Sequence, residues 1–369
     1  MKINQYIEAS GVWAAPDRNF KTLMLDLNEN HFLTDFLDDF IANEMNVLSL
    51  STYPNYGPLM DALSEYCQVP TDHLLIANGA DQAIDLLIRL LFTAGDRVVV
   101  PSPVFSFYYQ TLDVNGIVTK VIEFGTVNRQ FFFPFEKTLA ALDDADGLIL
   151  CNPNNPLGTE IDTLQLQALV QRCAARDIPV IVDEAYFEYL GRSCYDAMDT
   201  VEQLIVIRSF SKYFGLAGLR LGYILASPTI IRQLQKIRGP WDVNHLAVNA
   251  ALYCLRNIDQ LQQYHALLQK SKHALLAICA QAGIDAYDTK SNFILIRDQS
   301  GKLLSAFRSA GILVSDCSAY PHSAGIIRQM LRLAVPPMAD VARVGAVIEE
   351  SRLSIHYQAL HHIEALATP

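Results

Sequence analysis

Three stretches of the sequence determine the fold: GLILCNPNNPLG (residues 147–158), IPVIVDEAY (178–186) and LIVIRSFSK (204–212). Each opens with Val, Ile and Leu in a run without polar alternation, which is typical of a strand buried on both faces of a parallel sheet. Each run then gives way to polar residues. The pattern predicts neighbouring parallel strands whose carboxyl ends carry polar side chains.

Helical patterns lie between these runs. Residues 81–92 carry their apolar positions on one broad stripe, residues 163–176 do the same, and a further apolar run occupies residues 97–100. Buried strands that alternate with amphipathic helices predict an α/β fold with a doubly wound, mostly parallel sheet.

The pattern changes near residue 258. A long helical pattern at residues 260–282 is followed by strand candidates at 292–297 and 312–314 and by helices around 301–309 and 338–352. This predicts a smaller α+β domain. We therefore expect an N-terminal arm, or part of the small domain, at residues 1–30, a large domain at 31–258 and a small domain at 259–369.

Composition excludes several classes of protein. The 369 residues are 51% hydrophobic and 18% charged, which is enough apolar surface to offset the entropy of ordering the chain. No apolar run reaches 18 residues, so no membrane span is expected. The net charge of −11 argues against general polyanion binding. It leaves room for a local pocket that holds one phosphate.

The seven cysteines indicate a reducing compartment. They are odd in number and widely spaced, and the chain has no C-x-x-C pair. This favours reduced thiols in a cytoplasmic protein over a disulfide framework or a zinc site. The N-terminal sequence has no apolar segment typical of a signal peptide, and we expect no metal site.

The residues that follow the strands suggest a cofactor. A lysine at a strand end, Lys212, can form a Schiff base with an aldehyde in a partly dry site. Asp183 can pair with a pyridinium nitrogen. Ser209, Ser211, Arg220 and a helix N-terminus can hold one phosphate. An aldehyde, a pyridine ring and a phosphate together describe pyridoxal phosphate, whereas the glycine motifs for nucleotide triphosphates and dinucleotides are missing from the sequence.

The chain resembles the fold-type I, class I/II aminotransferases, and most closely their histidinol-phosphate aminotransferase branch. The shared motifs occur in the family's order over about residues 25 to 336. They are Leu27–Asn30, Tyr53–Asn55, Asn78–Asp81, Asn152–Gly158, Val182–Tyr186, Ser209–Gly222, Asn292–Phe293 and Leu331–Leu333. The resemblance implies an aspartate-aminotransferase-like fold, pyridoxal phosphate as cofactor, and a homodimer.

The resemblance also implies a role for each matching residue. Lys212 binds the cofactor aldehyde and moves the proton in catalysis, and Asp183 holds the pyridine nitrogen. Asn155 and Tyr186 donate to the ring hydroxyl oxygen, and Tyr108 stacks on the ring. The phosphate is held by Ser209, Ser211, Arg220, the backbone of Ala80 and Asp81, and Tyr53 from the neighbouring subunit. Arg332 pairs with the substrate carboxylate, together with Asn155 and Asn28.

The implied reaction moves an amino group from an amino acid or amine to a 2-oxo acid in ping-pong fashion, with 2-oxoglutarate as the expected acceptor. Packing explanations stay open for Tyr108, which lies among other aromatic residues, and for Tyr53, which is near Tyr56. Arg332 and Arg328 are close in sequence, and one of them could be structural.

One position departs from the family pattern. Ser315 stands where histidinol-phosphate aminotransferases carry an arginine for the substrate phosphate, and a hydroxyl is a poor replacement for a guanidinium. Arg328, Arg308 or Lys302 could supply the charge instead. The alternatives are an aminotransferase for an unphosphorylated amino acid, a decarboxylase of the threonine-phosphate type, or a catalytically silent binding relative.

Overall fold

The computed structural model describes residues 3–12, 18–128, 130–195, 201–323 and 325–350. The strands, in chain order, are β1 (Leu23–Met24), β2 (Leu74–Ala77), β3 (Arg97–Ser102), β4 (Val118–Glu123), β5 (Gly125–Val127), β6 (Gln130–Phe132), β7 (Gly147–Cys151), β8 (Val180–Asp183), β9 (Leu204–Ser209), β10 (Gly222–Leu225), β11 (Ala286–Asp288), β12 (Phe293–Arg297), β13 (Ile312–Leu313), β14 (Ser315–Asp316) and β15 (Met330–Ala334).

The helices, in the same order, are α1 (Gln5–Ala9), α2 (Thr34–Asn43), α3 (Leu48–Ser51), α4 (Gly57–Cys67), α5 (Gly79–Leu91), α6 (Phe107–Val114), α7 (Phe135–Ala141), α8 (Thr163–Ala175), α9 (Phe187–Leu190), α10 (Pro228–Ile237), α11 (His245–Arg256), α12 (Ile258–Gln281), α13 (Leu303–Ser309) and α14 (338–350).

A seven-stranded sheet forms the centre of the larger part of the molecule. Its strand order is β2-β10-β9-β8-β7-β3-β4, and the run from β9 to β4 is parallel. Helices cover both faces. Along β9, Leu204 and Val206 belong to the core on one face, while Ile205 and Ile207 belong to the core on the other. Burial on both faces explains why these strands read as unbroken apolar runs.

A second sheet has the order β11-β12-β15-β14, with antiparallel pairing throughout. Its core includes residues of α12, α13 and α14. The N-terminal segment reaches this region, because β1 pairs in parallel with β13. The domain limits that we expect from the sequence remain a prediction.

The structure corrects several local expectations. The strand expected at 312–314 is the two-residue strand β13, and a separate short strand, β14, follows it and pairs with a different partner. The sequence does not predict strands β2 and β10, and β10 runs antiparallel to both of its neighbours. The segment 1–30, expected to be an arm or part of the small domain, contains α1 and β1 among its described residues. Helix α14 is described to residue 350, so residues 351 and 352 of the expected helix lie outside the described residues.

Candidate active site

The register of the large sheet brings the polar strand ends together. Cys151 lies beside Asp183, and Asp183 lies beside Ile207, so β7, β8 and β9 end at one edge. On the far side of β9, Ser209 pairs with Gly222, which in turn pairs with Ala77 at the end of β2. The loops that leave β2, β7, β8 and β9, and the loop that enters the antiparallel β10, therefore surround one crevice, as expected in open α/β sheets.

Lys212 enters this crevice three residues after β9. Its Nζ donates a hydrogen bond to the carbonyl oxygen of Leu27 (2.8 Å) and lies 6.0 Å from the centre of the Tyr186 ring. Burial lowers the pKa of Lys212 to about 8, and the positive charge of Arg332 acts in the same direction. A neutral amine can attack an aldehyde and can accept a proton.

Asp183 is the buried acid of the crevice. Its Oδ2 accepts a hydrogen bond from the hydroxyl of Tyr108 (3.0 Å), and its Oδ1 accepts one from the backbone N–H of Ala185 (3.0 Å). Burial raises the pKa of Asp183 to about 6, although both hydrogen bonds lower it. Tyr108 is itself fully buried, so its ring and hydroxyl are held in place by packing and by Asp183.

The N-terminus of α5 faces Arg220. Helix α5 begins at Gly79, so the backbone N–H groups of Ala80 and Asp81 lie in its first turn. Gly79 has φ +75°, and a Cβ there would lie 2.7 Å from Nη2 of Arg220. The guanidinium also pairs with Asp81 (2.7 Å). Free N–H groups at a helix start and a nearby guanidinium form a favourable site for a phosphate.

Two serine hydroxyls complete this side of the crevice. Ser209 and Ser211 are both buried, and the Ser209 hydroxyl accepts a hydrogen bond from the backbone N–H of Ser211. Gly222 lies next to them on β10. A Cβ at Gly222 would come within 2.8 Å of the backbone nitrogen of Ala80, so only glycine allows the strand and α5 to approach this closely.

Arg332 and Asn155 meet on the opposite side. Nη1 of Arg332 donates to Oδ1 of Asn155 and to the hydroxyl of Tyr320 (2.9 Å), and Nη2 donates to the carbonyl oxygen of Asp26 (2.7 Å). Nε of Arg332 is buried without a hydrogen-bond partner. Asn28 Nδ2 donates to the Tyr186 hydroxyl (2.8 Å), and its Oδ1 is likewise buried and unpartnered.

Tyr53 lies outside this cluster. Its side chain is 76% exposed, and its ring contacts that of Trp241 with centres 4.6 Å apart and planes tilted by 30°. All other residues that the sequence places in the site are in or next to the crevice.

Three features of the crevice are not predicted from the sequence: Tyr320, the carbonyl oxygen of Asp26, and an ion-pair group of Arg18, Asp26 and Glu29. Arg18 bonds Glu29 through two oxygens (2.8 and 2.7 Å) and Asp26 through one (2.7 Å). Glu29 belongs to the motif Leu27–Asn30, which could have drawn attention to it. Nothing in the sequence marks Tyr320 or Arg18.

The donor set fits pyridoxal phosphate. The crevice holds an amine whose pKa is lowered, a buried carboxyl group, and a glycine-lined helix N-terminus flanked by two hydroxyls and a guanidinium. These are the partners that an aldehyde, a pyridine nitrogen and a phosphate need. The described part of the chain contains no cluster of His, Cys, Asp and Glu suited to a metal ion.

Together, the fold and the crevice define an α/β enzyme with a lysine-centred site at the strand ends. The family model "Aminotransferase class I and II" matches residues 22–348. The chain therefore belongs to the class I and II aminotransferases, and the sequence-based predictions of fold, enzyme class and pyridoxal phosphate are confirmed. It moves an amino group between an amino donor and a 2-oxo acid.

Two proteins of similar sequence are histidinol-phosphate aminotransferases. The histidinol-phosphate aminotransferase of Desulfitobacterium hafniense is 34% identical over 286 residues, which cover 74% of this chain and 77% of that protein. That of Methanococcoides burtonii is 32% identical over 289 residues, covering 75% and 77%.

Solved structures share the fold. A histidinol-phosphate aminotransferase from Sinorhizobium meliloti, in complex with pyridoxal-5'-phosphate, has a TM-score of 0.80 at 20% identity and covers 96% of this chain and 98% of that one. The L-threonine-O-3-phosphate decarboxylase from Porphyromonas gingivalis has a TM-score of 0.70 at 21% identity, covering 86% and 97%.

Proposed function

We propose that this aminotransferase works through Lys212, Asp183, Asn155, Tyr186 and Arg332. The main support is that the amine of Lys212 has a lowered pKa and lies in the same crevice as the buried carboxyl group of Asp183. Pyridoxal phosphate, when bound, supplies an aldehyde carbon and a ring that withdraws electrons from the substrate carbon bearing the nitrogen.

Side chains of the protein supply the proton transfer and hold the cofactor and the substrate. With the cofactor bound, the neutral amine of Lys212 would remove the proton from that carbon and return it to the former aldehyde carbon of the cofactor, on the other side of the nitrogen. Asp183 would hold the ring nitrogen and its proton, and Asn155 and Tyr186 would donate to the ring hydroxyl oxygen. Tyr108 would pack against the ring. Arg332 and Asn28 face the substrate, and the arginine offers its guanidinium to a carboxylate.

The phosphate would lie at the start of α5. Its donors would be the backbone N–H groups of Ala80 and Asp81, the hydroxyls of Ser209 and Ser211, and the guanidinium of Arg220. Binding would draw Arg220 from Asp81, a half-exposed pair that contributes little to stability.

We also propose a homodimer, in which Tyr53 of the partner subunit reaches the phosphate. Support comes from an exposed apolar surface made by Val47, Leu48, Leu50, Tyr53 and Trp241. Large exposed apolar patches of this kind mark association sites. Such a dimer would bury the ring contact between Tyr53 and Trp241.

A cytoplasmic location is the last part of the proposal. The seven cysteines are all buried as free thiols, which suits a reducing compartment. Within the described residues, none of the helices is both long and apolar enough to cross a bilayer.

Borohydride trapping tests the central assignment. Reduction of the holoenzyme should fix the cofactor to the tryptic peptide that contains Lys212, and Lys212→Ala should lose both this label and at least about 10⁴-fold in turnover. Lys236→Ala, which removes an exposed lysine on α10, is the matched control and should change neither. A label on another lysine would refute the role of Lys212. Loss of CO₂ from the donor without amino transfer would indicate a decarboxylase.

A further inference from the structure

Ser315 lies next to Arg332 in the small sheet. Strand β14 pairs with β15 so that Ser315 lies directly opposite Arg332. Residues that oppose each other in an antiparallel pair point to the same face of the sheet. Ser315 therefore stands beside Arg332 on the face that meets Asn155, and it brings a neutral hydroxyl to that position.

The other basic residues of this part of the chain lie at the surface. Lys302, Arg308 and Arg328 are all exposed on the small-sheet side of the molecule, whereas Arg332 is 4% exposed. Next to Arg332, the structure instead places the phenol of Tyr320, which accepts a hydrogen bond from Nη1. The immediate neighbours of Arg332 in this part of the site are thus uncharged side chains.

The N-terminal wall of the site is acidic. The segment 26–29 runs through the crevice, since its carbonyl oxygens accept hydrogen bonds from Arg332 and Lys212. Two carboxylates of this segment, Asp26 and Glu29, share the single guanidinium of Arg18. The hydrogen bond from Arg18 lowers the pKa of Glu29, so this carboxyl is ionised at neutral pH. One cation against two anions leaves a net negative charge.

We propose that the substrate of this site is an unphosphorylated amino acid whose side chain is neutral or positively charged. This rests on the proposed function, in which Arg332 binds the substrate carboxylate. Arg332 can then compensate only one anionic group. A doubly charged phosphate on the same substrate would be a second such group, and it would face Ser315, Tyr320 and the acidic pair. Repulsion of this kind is how a site rejects close analogues. A single distal carboxylate is repelled less, so 2-oxoglutarate remains compatible as acceptor.

Matched ligand pairs test the proposal on the holoenzyme. Serine is compared with O-phosphoserine, and threonine with O-phosphothreonine, in absorbance titrations that yield a Kd for each. We expect the unphosphorylated member of each pair to bind at least tenfold more tightly. Tighter binding of the phosphorylated members would overturn the proposal. The ratio within a pair does not depend on the role of Lys212, whose failure would show separately in the borohydride experiment.

A charge-restoring variant gives the second test. Ser315→Arg places a guanidinium beside Arg332 and should tighten binding of both phosphorylated ligands at least tenfold; Ser315→Gln, of comparable reach but uncharged, should not. Equal melting temperatures of the two variants would show that both are folded. If neither variant changes the Kd for phosphorylated ligands, Ser315 does not determine the specificity and the proposal is wrong.

Discussion

At the scale of single residues, burial acts in opposite directions on the two main titratable groups of the site. Burial disfavours the charged form of both groups, so the pKa of Lys212 falls to about 8 while that of Asp183 rises to about 6. Near pH 7.5 the carboxyl is still mostly ionised. Roughly a quarter of the Lys212 amines are neutral, against about one in a thousand for an ordinary lysine. Separated pKa values of this kind allow an acid and a base to act together at one pH.

This arrangement sets the pH dependence of cofactor attachment. The rate at which cofactor-free protein binds pyridoxal phosphate covalently should rise with pH, with a midpoint near 8, because only the neutral amine reacts. Stopped-flow absorbance measures it. Arg332→Gln should move the midpoint upward, since it removes a nearby positive charge. Arg172→Gln, an exposed site on α8, should leave it unchanged. A midpoint near 10.5 in the unmodified protein would contradict the expectation.

At the scale of elements, the sequence predicts what depends on local pattern. The strands of the parallel run are recognisable because both faces of each are buried, and the polar residues after them mark the crevice. The antiparallel direction of strand β10 cannot be predicted in this way, because it is set by the partner strands β2 and β9. The Asn28–Tyr186 hydrogen bond joins residues 158 positions apart, and Tyr320 and Arg18 lie in segments without periodicity. Their places depend on tertiary packing alone.

Helix α12 illustrates such packing. Its Lys272 is 3% exposed, and Nζ donates to the carbonyl oxygens of Thr289 and Ser291 while pairing with Asp288. Lys272 holds the segment 289–292 in this way, and that segment contacts two loops of the site. The N–H of Lys290 donates to the carbonyl oxygen of Gly158 (2.8 Å), and Asn292 donates to that of Asn28 (2.9 Å). One buried ammonium thus supports the loops that carry Asn155 and Asn28.

Lys272→Met should therefore lower the free energy of unfolding by about 3 kcal/mol, since it leaves buried carbonyl oxygens without donors. Urea denaturation measures this. Asp288→Asn is the control: its side chain is 63% exposed, so the loss should stay below about 1 kcal/mol. A destabilisation of Lys272→Met no larger than that of the control would show that the ammonium does not hold the segment.

At the scale of the whole molecule, the net charge and the exposed apolar surface have opposite effects on association. The net charge of −11 keeps copies of the chain apart in general, so association needs a specific apolar contact. Helix α3 provides one, because Leu48 and Leu50 are 58% and 71% exposed and Tyr53 follows directly. If this surface joins two subunits, assembly and cofactor binding are coupled, since Tyr53 would serve the partner's phosphate site.

Leu50→Glu should therefore convert a dimer into single chains of 41.1 kDa and weaken pyridoxal phosphate binding in the same variant, because a buried charge at the contact is costly and Tyr53 is then withdrawn. Sedimentation equilibrium gives the mass, and fluorescence titration gives the cofactor Kd. Leu164→Glu changes a leucine on α8 that is 74% exposed, and it should alter neither quantity. A single-chain mass for the unmodified protein would refute the dimer. A dissociated Leu50→Glu protein with unchanged cofactor affinity would refute the role of Tyr53 alone.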